Sequence, residues 1–339
     1  MQLTRFSNYK FKNGKTAQNR VVIPPMASQT ADLHGIVTEQ TVKHYEKLGL
    51  SQAGLVFVEY SYIHQSGKGE PHQLGVDADD KITGLKKIAV EIHKTNALAG
   101  LQLVHVGSKT TKEITQDYAS MAPSAIPVPV KAWQPEIPQE MTVAQIYQWV
   151  EWFVSAAKRA EQAGFDFVEL HAAHGYGLNQ WLSPITNHRT DEFGGNIENR
   201  AELLFKIVKA IKGQIPSLLL SVRLPAQDHF IAGLTKEEMI RVVKHLQSLD
   251  VDLINVSSGI GGWRRPDGHQ GQGYLVSDAN LIKDHISIPV IGVGGIETGE
   301  YIDELISTKK VDFAAVGRAI LKDPLSWGLA NIHYQQKSD

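Results

Sequence analysis

A (β/α)8 barrel of the α/β class is what this sequence predicts, and three observations predict it. Eight short apolar runs of strand character recur along 339 residues, a segment of helical period lies between most neighbours, and the histidine- and glycine-bearing motifs stand where those runs end. Repeated strand–helix alternation implies a parallel sheet with helices outside it. A doubly wound open sheet is the rival, and it usually has fewer strands.

The strand runs are residues 20–25, 55–60, 99–104, 165–170, 218–223, 252–256, 290–294 and 313–316. Helical period is clearest over 82–95, 143–163, 199–212, 236–249 and 300–307. Thr142, with Gln145 three residues on, is a capping signal for the helix at 143. Asn199 and Thr235 open two others, and Gly164 stands just past a helix end, where a left-handed cap needs it. Pro24 and Pro25 cannot donate to a ladder, so the first strand must stop there. The rigid edge Pro24-Pro25-Met26-Ala27 is either a surface for an aromatic ring or only a strand terminator. Residues 106–141 hold Pro123, Pro127, Pro129, Pro135 and Pro138. That density excludes a helix and suits an excursion above the barrel, a lid or small hairpin, with a rigid surface loop as the plainer alternative. Residues 259–278 are rich in Gly and carry Trp263, Arg264, Arg265 and His269. No linker or further repeat divides the chain, so one domain over 1–339 is expected.

Hydrophobic residues make up 42% and charged residues 21%, an ordinary globular balance. A net charge of −2 without a basic block points away from nucleic acid and anionic membranes. The absence of Cys excludes disulfides, thiolate chemistry and Cys-held iron–sulfur clusters. No apolar run approaches the ~20 residues that span a bilayer, and the N-terminus lacks the apolar core of a signal peptide. A cytoplasmic protein is expected.

The chemistry gathers after the fourth run, in His171-Ala-Ala-His174-Gly-Tyr176. Imidazoles can donate to an oxygen that gains negative charge, and a phenol can deliver a proton. The trio suits polarising a carbonyl and protonating a neighbouring carbon. A catalytic zinc held by His171 and His174, with His105 or His188 as a third ligand, is the alternative, but the pattern is poor for that and no metal is expected. After the seventh and eighth runs come Gly294-Gly295 and Gly317-Arg318. Backbone N–H groups at such glycines, with a guanidinium beside them, suit a phosphate, and this barrel type often places one there. Arg223 ends the fifth run and Gln102 lies in the third. A flat heterocycle with carbonyls and ring nitrogens would satisfy both; otherwise Arg223 pairs with a carboxylate and Gln102 joins a polar network. Arg189, Asp191 and Arg200 read as structural groups of the loop beside the site.

These residues resemble the Old Yellow Enzyme family of FMN-dependent ene-reductases, and within it the short bacterial branch typified by a Bacillus ene-reductase. The likeness runs from Asn19-Arg20 to Asp323-Pro324 and is most specific over 171–200. Further matches are Gly54-Leu-Val-Phe-Val-Glu59, Gln102-Leu-Val-His105, Ala122-Pro-Ser-Ala125, Val251-Asp-Leu-Ile254, Ser257-Ser-Gly259 and Gly317-Arg318. The resemblance implies a tightly held, non-covalent FMN on the barrel mouth, reduced by NADPH or NADH. Its ring would meet Pro24, Pro25, Met26, Ala27, Tyr60 and Gln102, with Arg223 at the pyrimidine edge. Gly294, Gly295, Gly317 and Arg318 would hold its phosphate. His171 and His174 would bind the carbonyl oxygen of an α,β-unsaturated substrate, Gln29 and Tyr60 would line the substrate pocket, and Tyr176 would protonate the α-carbon. A homodimer or homotetramer is implied as well.

The chain departs from the family at several places. Ala27 stands where the branch often carries a redox-tuning Cys, which implies a shifted flavin potential. Gln29 replaces a substrate-contacting Tyr, Tyr60 replaces a small residue, and the last nine residues lack the Arg that some relatives insert into a neighbour's site. Arg264 and Arg265 are candidates to serve the substrate instead. Two rival functions remain: an enzyme like the 2,4-dienoyl-CoA reductases, disfavoured by the length and the missing Cys, and a flavin-binding protein without turnover, disfavoured by the His–His–Tyr trio.

Overall fold

The computed structural model describes residues 2–129, 135–264 and 267–332. Arg265 and the residues after 332, on which two of the expectations above fall, lie outside that set.

Eight parallel strands close into a barrel: β1 (Val21–Ile23), β2 (Leu55–Tyr62), β3 (Leu98–Val104), β4 (Phe167–His171), β5 (Leu219–Pro225), β6 (Leu253–Ser257), β7 (Val290–Gly292) and β8 (Phe313–Ala315). β8 pairs with β1 through Ala314 opposite Val21, which completes the ring. Around it lie helices α1 (Glu39–Gly49), α2 (Ile82–His93), α3 (Val143–Gln162), α4 (Glu202–Gln214), α5 (Lys236–Ser248), α6 (Val276–Lys283), α7 (Gly299–Ser307) and α8 (Pro324–Asn331).

The expected caps are present at α3, where Thr142 and Gln145 exchange bonds, and at α5, where Thr235 does the same with Glu238. Gly164 follows α3 with φ +90°. Asn199 does not open a helix. Asn196 caps the short turn Ile197–Arg200 by accepting from the Asn199 N–H, and α4 starts afresh at Glu202. Residues 106–141 differ in two respects from expectation. A short helix, Lys112–Thr115, precedes the first of the prolines, so the proline argument reaches only the later part. Met121–Ala122 and Gln139–Glu140 pair in parallel, which a tight hairpin could not do and a long return path can.

Side chains alternate between the two faces of each strand. Val168, Leu170, Leu220, Val222, Ile254 and Val256 point outward, into the apolar layer under the helices. Inward residues form layers, as in other barrels of this type. The floor is apolar: Phe57, Phe167, Leu219, Leu253, Ile291 and Phe313, closed from below by Phe11 of the hairpin Tyr9–Lys10/Thr16–Ala17. The next layer is polar. Glu169 accepts from Gln102 Nε2 at 2.8 Å, Ser221 Oγ at 2.8 Å and Asn255 Nδ2 at 3.0 Å. Burial raises the Glu169 pKa, and Arg223 with these three donors lowers it in part. Above that layer β4, β5 and β6 present His171, Arg223 and Ser257 at the barrel mouth. In β2 the register slips between Val58 and Ser61, so Glu59 and Tyr60 share the place of one residue. The bulge sends Glu59 outward to Tyr45 of α1 and packs Tyr60 with Val104 and Val106.

Candidate active site

His171 is the last residue of β4 rather than the first after it, and it is buried. The Ala173 N–H reaches its Nδ1 at 3.3 Å, which leaves the proton of the neutral ring on Nε2. The chain then turns sharply. His174 has φ +61° and Gly175 φ +72°, and a Cβ at Gly175 would lie 2.6 Å from the Ile260 carbonyl oxygen. The turn is held by His174 N–H to the Ser258 carbonyl and Gly175 N–H to Asn179 Oδ1. It ends at Tyr176, which stands at the N-terminus of the short helix Gly177–Leu182.

Three side chains from six residues therefore converge. The His171 ring lies 5.0 Å from that of His174 and 4.8 Å from that of Tyr176, and His174 and Tyr176 are 6.4 Å apart. Burial and then Arg223 push both imidazoles well below their ordinary pKa, so they are neutral donors at physiological pH. Burial pushes the Tyr176 phenol up to about 12, so it keeps its proton.

Much of the rest of the expected set lines one cavity of ≈ 350 Å³: Pro24, Pro25, Met26, His174, Arg223, Gly294, Gly295, Gly317 and Arg318. Gly294 has φ +117°, and a Cβ there would sit 2.9 Å from the Leu275 nitrogen. Gln102 is buried inside the barrel with its amide nitrogen committed to Glu169, the polar-network alternative. Ala27 and Gln29 are exposed beyond Met26, and Gln29 donates to Glu70 at 3.1 Å. Trp263, Arg264, Tyr274 and Arg318 line an adjoining cavity, with the Arg264 guanidinium 4.3 Å from the Trp263 ring centroid. His105 is engaged with Ser66 and the Gly107 N–H, away from any metal role. Arg189 and Arg200 bond backbone carbonyls of Pro123, Met141, Leu182 and Gly195, as structural groups should.

Two groups were missed in the sequence. Ser257, at the end of β6, touches both His174 and Arg223. Lys109, just past β3, places its ammonium 4.6 Å from the Tyr176 ring centroid and donates to the His174 carbonyl. Both stand at or beyond the C-terminal end of a barrel strand, which is the signal that could have found them.

Arg223 Nε is buried with no partner among the described residues. It belongs to a guanidinium lining the cavity, so a planar polar ligand suits the donors present. The model of the NADH:flavin oxidoreductase / NADH oxidase family matches residues 5–330. The chain belongs to this family. It is 36% identical over 325 residues to the NADPH dehydrogenase of Geobacillus thermodenitrificans, covering 96% of this chain and 92% of that one. It is equally 36% identical over 310 residues to the NADPH dehydrogenase of Bacillus velezensis, covering 91% and 89%. Among solved structures it resembles an old yellow enzyme homologue from Zymomonas mobilis, with TM-score 0.82, 24% identity and coverage of 98% and 93%. It also resembles a 2-naphthoyl-CoA reductase, with TM-score 0.88 and 25% identity; the chain is covered to 96% but spans only 51% of that reductase. The family member is an FMN-dependent oxidoreductase that takes its electrons from NAD(P)H. Among the described residues no helix is long and apolar enough to cross a membrane.

Proposed function

We propose that this oxidoreductase reduces the C=C bond of α,β-unsaturated carbonyl compounds. The observation that carries the reading is the convergence of two neutral imidazoles and one neutral phenol beside a cavity lined by Arg223, whose buried Nε has no partner among the described residues.

Bound FMN supplies the hydride chemistry, taking two electrons from NAD(P)H and passing them on. The chain's own residues do the rest. Pro24, Pro25 and Met26 would offer one apolar wall for its ring, and Gly294, Gly295, Gly317 and Arg318 would hold the phosphate. Arg223, a buried guanidinium lining the same cavity, would favour negative charge on such a ring. The Nε2–H of His171 and an N–H of His174 donate to the carbonyl oxygen of the substrate. Neutral imidazoles suit that task, because they bind the charge that grows on the oxygen without surrendering a proton to it. Such donors are commonly worth about 3 kcal/mol each. Tyr176, protonated up to about pH 12, gives its hydroxyl proton to the α-carbon. A cytoplasmic homodimer or homotetramer of single-domain subunits accompanies this reading.

The test is made on the purified holoenzyme. A yellow protein bleached by NADPH under anaerobic conditions and restored by cyclohexenone supports the proposal. Bleaching that no enone reverses would favour a flavoprotein without this turnover.

A further inference from the structure

Donation by Tyr176 leaves a strongly basic phenolate that must regain a proton before the next cycle. The half-buried phenol packs against Tyr60, Val104 and Val106, and a substrate seated on it covers what exposure it has. The proton must then arrive from behind. The groups facing Tyr176 are His171, His174, Arg223, Lys109 and Tyr60, with Glu70 beyond. Both imidazoles are neutral and occupied with the oxygen, and a guanidinium does not release protons.

Tyr60 is placed differently. The β2 bulge packs it beside Tyr176, the two rings are stacked with centroids 5.5 Å apart at 25°, and Tyr60 is only 7% exposed. Burial, then Tyr176 and Glu70, push the Tyr60 phenol up, and burial and Glu70 push the Tyr176 phenol up as well, so the three groups sense one another behind the stacked rings. Glu70 is half-buried and held by Gln29 Nε2 at 3.1 Å, a side chain that is itself exposed. A line phenol–phenol–carboxylate thus runs from the site to water. We propose that Tyr60 and Glu70 form a proton-return path that re-protonates Tyr176 from solvent after each reduction.

The path rests on the ene-reductase reading and balances as follows. The Tyr176 O–H bond breaks as the C–H bond forms, and its electron pair stays on the oxygen. The Tyr60 O–H bond then breaks and that of Tyr176 re-forms. Tyr60 recovers its proton from the Glu70 carboxyl, which takes one from water. One solvent proton is consumed per double bond reduced. Lys109 is the competing source, since its ammonium lies against the same ring.

The experiment compares wild type, Tyr60→Phe, Glu70→Gln and Lys109→Met, each reduced with NADPH and reacted with cyclohexenone. Tyr60→Phe keeps the ring and removes one hydroxyl. Steady-state turnover should fall about tenfold in both path variants, fall less in a single turnover, and recover as a small acid buffer such as imidazole is raised. Parallel losses that no buffer restores would make Tyr60 a positioning residue and overturn the path. Buffer rescue confined to Lys109→Met would overturn it in favour of the lysine.

Carbon-13 NMR of flavin-free protein labelled at tyrosine Cζ gives a readout without turnover. The Tyr176 resonance, assigned by its loss in Tyr176→Phe, should move in Tyr60→Phe. An unmoved resonance overturns the hydroxyl contact even if the enzyme reduces enones. Wild-type enzyme that enones fail to re-oxidise, with the resonance shift intact, would instead overturn the parent reading and leave the path without a reaction to serve.

Discussion

Ser257 Oγ lies 2.6 Å from His174 Nε2 and 3.2 Å from Arg223 Nη2, so one hydroxyl joins the imidazole to the guanidinium. Arginine can only donate, so the oxygen accepts from Arg223 and its own hydrogen is free to turn toward His174. His174 then carries its proton on Nδ1, whereas His171, whose Nδ1 faces the Ala173 N–H, carries it on Nε2. In the proposed complex the two rings would present opposite nitrogens to the substrate oxygen. His174→Ala should slow re-oxidation of the reduced enzyme by cyclohexenone by about 10²–10³-fold, as the loss of one donor does elsewhere. Ser257→Ala frees the tautomer while keeping the ring and should cost about tenfold by the same argument. Stopped-flow flavin absorbance reads both. A Ser257→Ala rate equal to wild type would show that the hydroxyl does not set the tautomer.

The barrel was legible because all eight strands are short apolar runs separated by turns, and a parallel sheet buries both faces. His171, His174, Tyr176, Gly294, Gly317 and Arg318 were legible because the barrel gathers strand ends. What escaped, Ser257 and Lys109, was set by contacts distant in sequence, to His174 and Arg223 for one and to Tyr176 for the other. Tyr60 was named from the family resemblance alone, because the bulge at Glu59–Tyr60 that reverses the alternation is marked by no local pattern. Helix α1 was not read, since its packed face rests on Thr41, Tyr45 and Leu48, only one of them aliphatic. Gln102 follows the polar-network alternative at its amide nitrogen. Its place in a strand was right, but the buried carboxylate of Glu169, two strand positions below the mouth, claims the amide.

Lys109 carries a pH dependence whose sign follows from its surroundings. Burial lowers its pKa to about 8, with Glu70 pulling the other way. Below that value it is an ammonium 4.6 Å from the Tyr176 ring centroid and favours the phenolate that forms as the proton leaves. Proton donation should therefore slow as pH rises through about 8. Lys109→Met should lack that falling limb in a stopped-flow pH profile. Stability moves the other way. The folded-state pKa lies below that of a free lysine, so the cost of the buried charge is fully present below about 8 and is relieved as pH rises toward the ordinary lysine value. Thermal melts of wild type should gain on those of Lys109→Met across that window.

Arg318 tests where the cofactor phosphate sits. It opens the short helix Arg318–Lys322, stands exposed at the rim, and its guanidinium lies 5.9 Å from the Trp263 ring centroid. Arg318→Gln removes charge-assisted hydrogen bonds worth about 1.5–3 kcal/mol, a loss of roughly 10–150-fold in FMN affinity. Titration of apoprotein with FMN, followed by fluorescence quenching, measures it. The wild-type affinity should also weaken with salt more than the variant's does. An unchanged Kd would place the phosphate elsewhere.

Phe11 should matter for stability and not for catalysis. The hairpin Tyr9–Lys10/Thr16–Ala17 carries it into the barrel floor, where its ring meets Phe167 edge-on at 5.0 Å and stacks with Phe313 at 6.1 Å. It is 4% exposed, and the surrounding residues belong to closed strands that cannot collapse into the gap. Phe11→Ala should therefore cost about 3–5 kcal/mol, the range for aromatic truncation in a core. Between that floor and the mouth stands the layer of Gln102, Glu169, Ser221 and Asn255, one residue from each of four strands joined through Glu169. A carboxylate that collects three donors should hold this layer's geometry when the apolar layer beneath loosens. Urea unfolding of Phe11→Ala should show a lower midpoint, while FMN affinity and the enone re-oxidation rate stay at wild-type values. A parallel loss of flavin would mean that the polar layer transmits strain from floor to mouth instead of isolating it.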